Sequence, residues 1–168
     1  MSKNYKELLP EITTFIFDVD GVLTNGIVNI MTNGEMIRRM NVKDGYALKT
    51  AIDKGYNVAI ISGGNNEGVR TRLNGLGIET VYLGVRNKLS VFNNYCKETG
   101  IKPENIVYMG DDIPDAEVMK VVGLSTAPND ADVEIQRIAK YISDKKGGEG
   151  CVRDIIEQVL RVQGNWLN

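Results

Sequence analysis

The stretch Phe15-Ile16-Phe17-Asp18-Val19-Asp20-Gly21-Val22-Leu23-Thr24 runs from three apolar residues straight into two carboxylates set two positions apart. The apolar triplet reads as a buried strand. Carboxylates at the end of such a strand are costly unless a cation or a reaction uses them. Gly21 permits a sharp turn after them, and Thr24 brings a hydroxyl just beyond it. Asp18 and Asp20 could simply cap a following turn or helix. Strand, paired carboxylates and glycine turn in that order favour chemistry instead.

The 168 residues suit one domain, and 42% hydrophobic content is enough for a full core. A net charge of −2 gives no general attraction to nucleic acid or to an anionic membrane. No apolar run approaches the roughly 20 residues that span a bilayer. The start, Met1-Ser2-Lys3-Asn4-Tyr5-Lys6, lacks the apolar region of a signal peptide, so a cytoplasmic location is expected. Cys96 and Cys151 have no metal-ligand spacing, and two cysteines make a disulfide scaffold unexpected. The chain has no histidine, which removes Ser-His-Asp triads, Cys-His pairs and His-based zinc sites. Acid–base chemistry near neutral pH then falls to carboxylates, lysine, tyrosine or cysteine.

Short apolar runs recur along the chain at Phe15–Phe17, Val58–Ile61, Val81–Leu83, Ile106–Met109 and Val121–Leu124, with a weaker one at Tyr141–Ile142. Between them lie helical patterns near 44–54, 65–75, 87–99, 112–120, 130–137 and 150–162. Strands alternating with helices predict an α/β, doubly wound, mostly parallel sheet with helices on both faces. Gly77, Gly100 and Gly123 each follow a helical pattern, where a left-handed cap is expected. No repeat, low-complexity tract or linker marks a domain boundary, so one domain over 1–168 is expected.

Residues 27–42 break the alternation. Ile27–Met31, Thr32-Asn33-Gly34-Glu35 and Met36–Val42 read as a β-hairpin whose Asn-Gly suits a two-residue type I′ turn. Arg38 and Arg39 accompany its apolar residues. An isolated hairpin is marginal without something to pack on, so a subunit interface is the sharper reading.

In an open α/β sheet, ligands sit at the C-terminal ends of the strands. Four polar clusters fall there: Asp18/Asp20, Ser62-Gly63-Gly64, Lys88, and Gly110-Asp111-Asp112-Ile113-Pro114-Asp115. Singly, each has a bland explanation: a turn, a solvated lysine, a helix cap. Their order and spacing together resemble the four motifs of the haloacid dehalogenase superfamily across about residues 12–125. That resemblance implies Mg²⁺-dependent phosphoryl transfer with Asp18 as nucleophile. It implies Asp18, the main-chain carbonyl of Asp20 and Asp111 as metal ligands, with Asp112 and Asp115 behind them. Ser62, Gly63, Gly64 and Lys88 would hold phosphate oxygens, with Thr24 beside them. Asp20 would protonate the leaving alcohol, its pKa raised by nearby carboxylate charge.

The gaps between motifs leave no room for a cap domain. End to end, the chain resembles the capless sugar-acid phosphatases, the octulosonate 8-phosphate phosphatases of lipopolysaccharide precursor synthesis in particular. The resemblance is carried by Asp18–Thr24 with its hairpin, Asn41-Val42-Lys43-Asp44-Gly45, Arg72, Gly110–Asp115 and Gly147-Gly148-Glu149-Gly150-Cys151-Val152-Arg153-Asp154. It implies a homotetramer and a phosphorylated sugar acid as substrate. Arg72 and Arg153 are candidates for the substrate carboxylate, because guanidinium pairs with it bidentately. Gly148 would let backbone approach a ligand or a neighbouring chain. Gly64 and Glu149 stand where family members often carry basic residues, which keeps a nine-carbon acid, 2-keto-3-deoxynononate 9-phosphate, open. A phosphoacceptor receiver domain shares the sheet, the acids and the lysine, but lacks the Asp-x-Asp pair on its first strand.

Overall fold

The computed structural model describes residues 4–167. Six parallel strands form one sheet in the order β5-β4-β1-β6-β7-β8. β1 (Thr14–Phe17) is fully buried and lies between β4 (Asn57–Ile61) and β6 (Ile106–Met109). β5 (Thr80–Tyr82) closes one edge. β7 (Leu124–Ala127) and β8 (Tyr141–Ile142) extend the other. The register sets Phe17 beside Ile60 on one neighbour and Met109 on the other. The strand ends that should carry chemistry are therefore level.

Alternation along the strands feeds two cores. Phe15, Phe17, Val58, Ile60, Val107 and Met109 face one layer. It is built from α1 (Val42–Asp53), α2 (Glu67–Asn74) and α6 (Cys151–Val162). Ile16, Ala59, Ile61, Ile106 and Tyr108 face the other layer. That one is built from α3 (Lys88–Thr99), α4 (Ala116–Val121) and α5 (Val133–Ile138). The chain winds outward from β1 through β4 to β5, then crosses back to β6. The order reverses at β1, and the crevice at its C-terminal end is where such sheets bind ligands. No helix among the described residues is long and apolar enough to cross a membrane.

The expected doubly wound sheet is present, with helices on both faces and no cap. Three local readings are corrected. The run at 121–124 is not a strand: Val121 ends α4, and β7 starts at Leu124. Ser125 and Thr126 disguise that strand. Both are buried, and their hydroxyls donate to the Ile138 and Tyr108 carbonyls. Gly123 has no left-handed cap conformation. It is needed because a Cβ there would lie 2.2 Å from the Glu104 carbonyl oxygen.

The hairpin is real but short, with β2 (Asn29–Ile30) antiparallel to β3 (Met36–Ile37). Its turn is not type I′, since Asn33 does not have positive φ. Gly34 N–H donates to the Met31 carbonyl at 2.9 Å, and Met31 N–H to the Glu35 carbonyl at 2.8 Å. With Gly34 at φ +85°, this is a three-residue turn closed by a glycine bulge. Ile27, Ile30, Met31, Met36 and Ile37 are all exposed on it.

Candidate active site

Asp18 is the first residue past β1, and its N–H still donates to the Met109 carbonyl of β6 at 3.1 Å. The backbone then coils, with the amides of Val22, Leu23 and Thr24 all donating to the Val19 carbonyl. Gly21 has φ +82°, and a Cβ on it would meet Asp111 Oδ2 at 1.8 Å. Only glycine lets the Asp111 carboxylate sit against this loop. Ser62 follows β4 and is anchored by its N–H to the Tyr82 carbonyl. Lys88 opens α3 behind Asn87, whose side chain accepts from Ser90 N–H. The Asp111–Asp115 turn follows β6, and Asp112 and Asp115 cap it reciprocally.

Lys88 Nζ lies 2.7 Å from Asp18 Oδ2 and 2.7 Å from Asp115 Oδ1. All three side chains are buried. Asp18 Oδ1 accepts from Val19 N–H at 2.6 Å. Asp115 also accepts from the Tyr108 hydroxyl at 2.6 Å and from the amides of Asp111 and Asp112. It is a hub that fixes the lysine and the turn together. One oxygen from each of Asp18, Asp111 and Asp115 lies within 4.8 Å of the others. Among the described residues, nothing donates to the Asp111 carboxylate.

The charges do not balance locally. Three carboxylates face one ammonium, leaving two negative charges over. Burial, then the charge of Asp115, pushes Asp18 up to about 6 against the pull of Lys88. Burial and the charges of Asp18, Asp115 and Asp112 push Asp111 up to about 7. Burial opposes the charge on Lys88, but Asp18 and Asp115 outweigh it and hold the ammonium above its ordinary value. A surplus of two negative charges on hard oxygen donors fits one divalent cation of the Mg²⁺ kind. Asp18, Asp20, Ser62, Gly63, Gly64, Lys88, Asp111, Asp112 and Asp115 all line one cavity of about 360 Å³.

The profile of the haloacid dehalogenase-like hydrolases matches residues 83–155. A 3-deoxy-D-manno-octulosonate 8-phosphate phosphatase of Salmonella typhi is 40% identical over 153 residues, covering 91% of this chain and 81% of that protein. The Escherichia coli K12 enzyme of the same description gives the same identity and coverage. The chain belongs to this phosphatase family. The crystal structure of the Yersinia pestis octulosonate phosphatase superposes with a TM-score of 0.94 at 34% identity, covering 98% of this chain and 89% of that one. The Moraxella catarrhalis octulosonate phosphatase, crystallised with magnesium, phosphate and a KDO molecule, superposes with a TM-score of 0.93 at 30% identity. That alignment covers 96% of this chain and 92% of that one.

Four expected site residues of this phosphatase lie outside the aspartate cavity. Thr24 is buried, and its hydroxyl accepts from Gly21 and Gly26 amides at 3.3 and 3.2 Å, closing its own loop. Arg72 lies against Gly45 of α1 and opens on a separate groove of about 400 Å³ beside the hairpin. Arg153 pairs with Glu157 and sits over the Tyr46 and Trp166 rings. Gly148 lines a different cavity, of about 310 Å³, together with Asn25, Arg39, Asn41 and Glu149. It packs on the nucleophile loop, where a Cβ would lie 2.7 Å from Asn25 N.

The sequence missed two residues. Tyr108 looks like any core aromatic until its hydroxyl is seen on Asp115. Arg38 was legible only as a hairpin cation. It reaches back over 18 residues and holds both oxygens of Asp20, Nε at 2.7 Å and a terminal nitrogen at 3.0 Å. That bond raises the Arg38 pKa. The charge facing Asp20 is thus a guanidinium, not the carboxylates expected around it. Gly64 leaves room for the pair, since a Cβ there would stand 3.1 Å from Asp20 Oδ2 and 3.2 Å from the guanidinium.

Proposed function

We propose that this phosphatase hydrolyses 3-deoxy-D-manno-octulosonate 8-phosphate to the free sugar acid and phosphate, through an aspartyl-phosphate on Asp18. The observation that carries the chemistry is the buried Asp18–Lys88–Asp115 cluster with its surplus negative charge. The names of the relatives carry the substrate.

Asp18 Oδ attacks phosphorus, and the bond from phosphorus to the sugar oxygen breaks. Lys88 and the Ser62 hydroxyl hold the phosphate oxygens as charge moves onto them. Asp20 passes a proton taken up from solvent to the departing alcohol and later takes one from the water that hydrolyses the aspartyl-phosphate. Its oxygens accept from Arg38 in the resting structure, so an arm of that ion pair opens during turnover. Asp18, Asp111 and the Asp20 carbonyl would hold Mg²⁺, with Asp112 and Asp115 behind them. The ion, when bound, offsets phosphate and carboxylate charge and orients the phosphate for in-line attack.

The exposed apolar hairpin supports assembly into a homotetramer. In that assembly we assign Arg72, and Arg153 if it leaves its aromatic shelf, to the sugar carboxylate of a neighbouring site. A cytoplasmic location fits a site that uses a soluble phosphorylated sugar acid.

The decisive assay is phosphate release with Mg²⁺ across octulosonate 8-phosphate, 2-keto-3-deoxynononate 9-phosphate and ordinary sugar phosphates, with Asp18→Asn as control. Preference for the eight-carbon ester, lost in the control, supports the reading. Preference for the nine-carbon ester keeps the mechanism and changes the substrate. No turnover of any ester rejects both.

A further inference from the structure

The 147–153 segment does more than begin a helix. Gly147 is pressed so close to the nucleophile loop that a Cβ would lie 1.9 Å from the Gly21 carbonyl oxygen. Gly148 N–H donates to the Val22 carbonyl at 2.9 Å, and the Cys151 thiol donates to the same oxygen at 3.3 Å. Val22 is four residues from Asp18, and its neighbour Gly21 bears on Asp111. The glycine pair is thus a prop under the loop that carries the reacting carboxylate.

The prop is itself held by the first turn of α1. Gly150, the N-cap of α6, has no side chain to cap the helix and sits at φ +108°. Asp44 supplies the missing cap from another helix: its Oδ1 accepts from Arg153 N–H at 2.8 Å. Asp44 is buried, and among the described residues its Oδ2 has no hydrogen-bond partner. A buried carboxylate with one idle oxygen is unfavourable by itself. Asn41, the N-cap of α1, adds a second grip by donating its Nδ2 to the Gly148 carbonyl at 3.2 Å.

We infer that Asp44 and Asn41 are positioning residues for the phosphoryl-transfer site, acting through the Gly147–Cys151 prop on the Asp18–Thr24 loop. Neither lines the aspartate cavity. The inference rests on the phosphatase reading only for its kinetic arm.

The test compares Asp44→Ala, Asp44→Asn and Asn41→Ser. Serine keeps an α1 cap but cannot reach Gly148. Hydrogen exchange of peptides covering 18–24, 147–153 and 106–109 is measured in the metal-free protein. Turnover of an aryl phosphate and its Mg²⁺ dependence are measured alongside. Asp44→Ala and Asn41→Ser are expected to quicken exchange at both 147–153 and 18–24 while leaving 106–109 protected. kcat should fall roughly tenfold or more with KM nearly unchanged, as a displaced reacting group requires. Asp44→Asn, which keeps an oxygen for the Arg153 amide, should restore most of both. Exchange that quickens at 147–153 alone, with kcat at the parent level, overturns the inference. If Asp44→Ala does not fold, Asn41→Ser decides. If the parent turns over no ester, the exchange arm still decides, and the failure belongs to the function.

Discussion

At the residue scale, each charged group in the cavity has a different task because it has different neighbours. Asp18 keeps one oxygen on Lys88 and one on an amide, and faces the open cavity. Asp115 is saturated by Lys88, Tyr108 and two amides, so it orients rather than reacts. Asp18→Asn is expected to lower turnover by roughly four orders of magnitude while leaving the circular dichroism spectrum unchanged. Arg38→Ala should lower kcat/KM about tenfold or more, because Asp20 loses the side chain that fixes both its oxygens. Arg38→Lys should recover part of it, since an ammonium cannot make the two-pronged contact. Turnover of Arg38→Ala at the parent rate would mean the ion pair is incidental. Asp18, Ser62, Lys88 and Asp111 were legible because strand ends in a parallel sheet converge. Arg38 was not, because a side chain reaching back across a turn leaves no mark in local periodicity. The position of Arg153 in a glycine-rich motif likewise says nothing of the aromatic rings on which its guanidinium rests.

At the element scale, the parallel strands were found within a residue or so wherever their letters were apolar, and missed at β7, where buried hydroxyls take internal partners. The contact across Gly123 is a test of that packing. Gly123→Ala must push against the Glu104 backbone, which is not a flexible side chain, and should destabilise the protein by about 1–3 kcal/mol. Chemical denaturation measures it, and an unchanged midpoint would show that the β6–β7 connection yields. The hairpin makes a different kind of prediction. Its apolar residues point outward from a two-stranded ribbon too small to be stable by its own contacts. Ile30→Lys with Ile37→Lys is expected to reduce the proposed tetramer to a smaller species in light scattering while the sheet core keeps its denaturation midpoint. A parent protein already monomeric at micromolar concentration would remove the interface reading altogether.

At the scale of the whole molecule, the acidic cluster couples stability to pH and metal. Asp18 and Asp111 have folded-state pKa values above the ordinary carboxylate range, so the native state holds their protons more tightly than the unfolded chain does. Their contribution is full below about pH 4. It is lost as pH rises through about 6 and 7. Chelator-treated protein should therefore melt at a lower temperature at pH 7.5 than this cluster would otherwise allow. Added Mg²⁺ should raise the melting temperature much more at pH 7.5 than at pH 5. Equal Mg²⁺ effects at both pH values would show that the cluster is not where the ion acts. The same molecule has its two end segments sewn together: Gln163 donates to the Leu9 and Ile12 carbonyls at 2.8 Å, and Tyr5 donates to Gln158. Every residue of the cavity lies between those ends, so the order in which the strands are strung is separable from the site they form. A circular permutant joined there by a short linker and opened at the exposed Gly100, before Ile101 packs on the core, should fold to the same sheet and keep its catalytic centre whole.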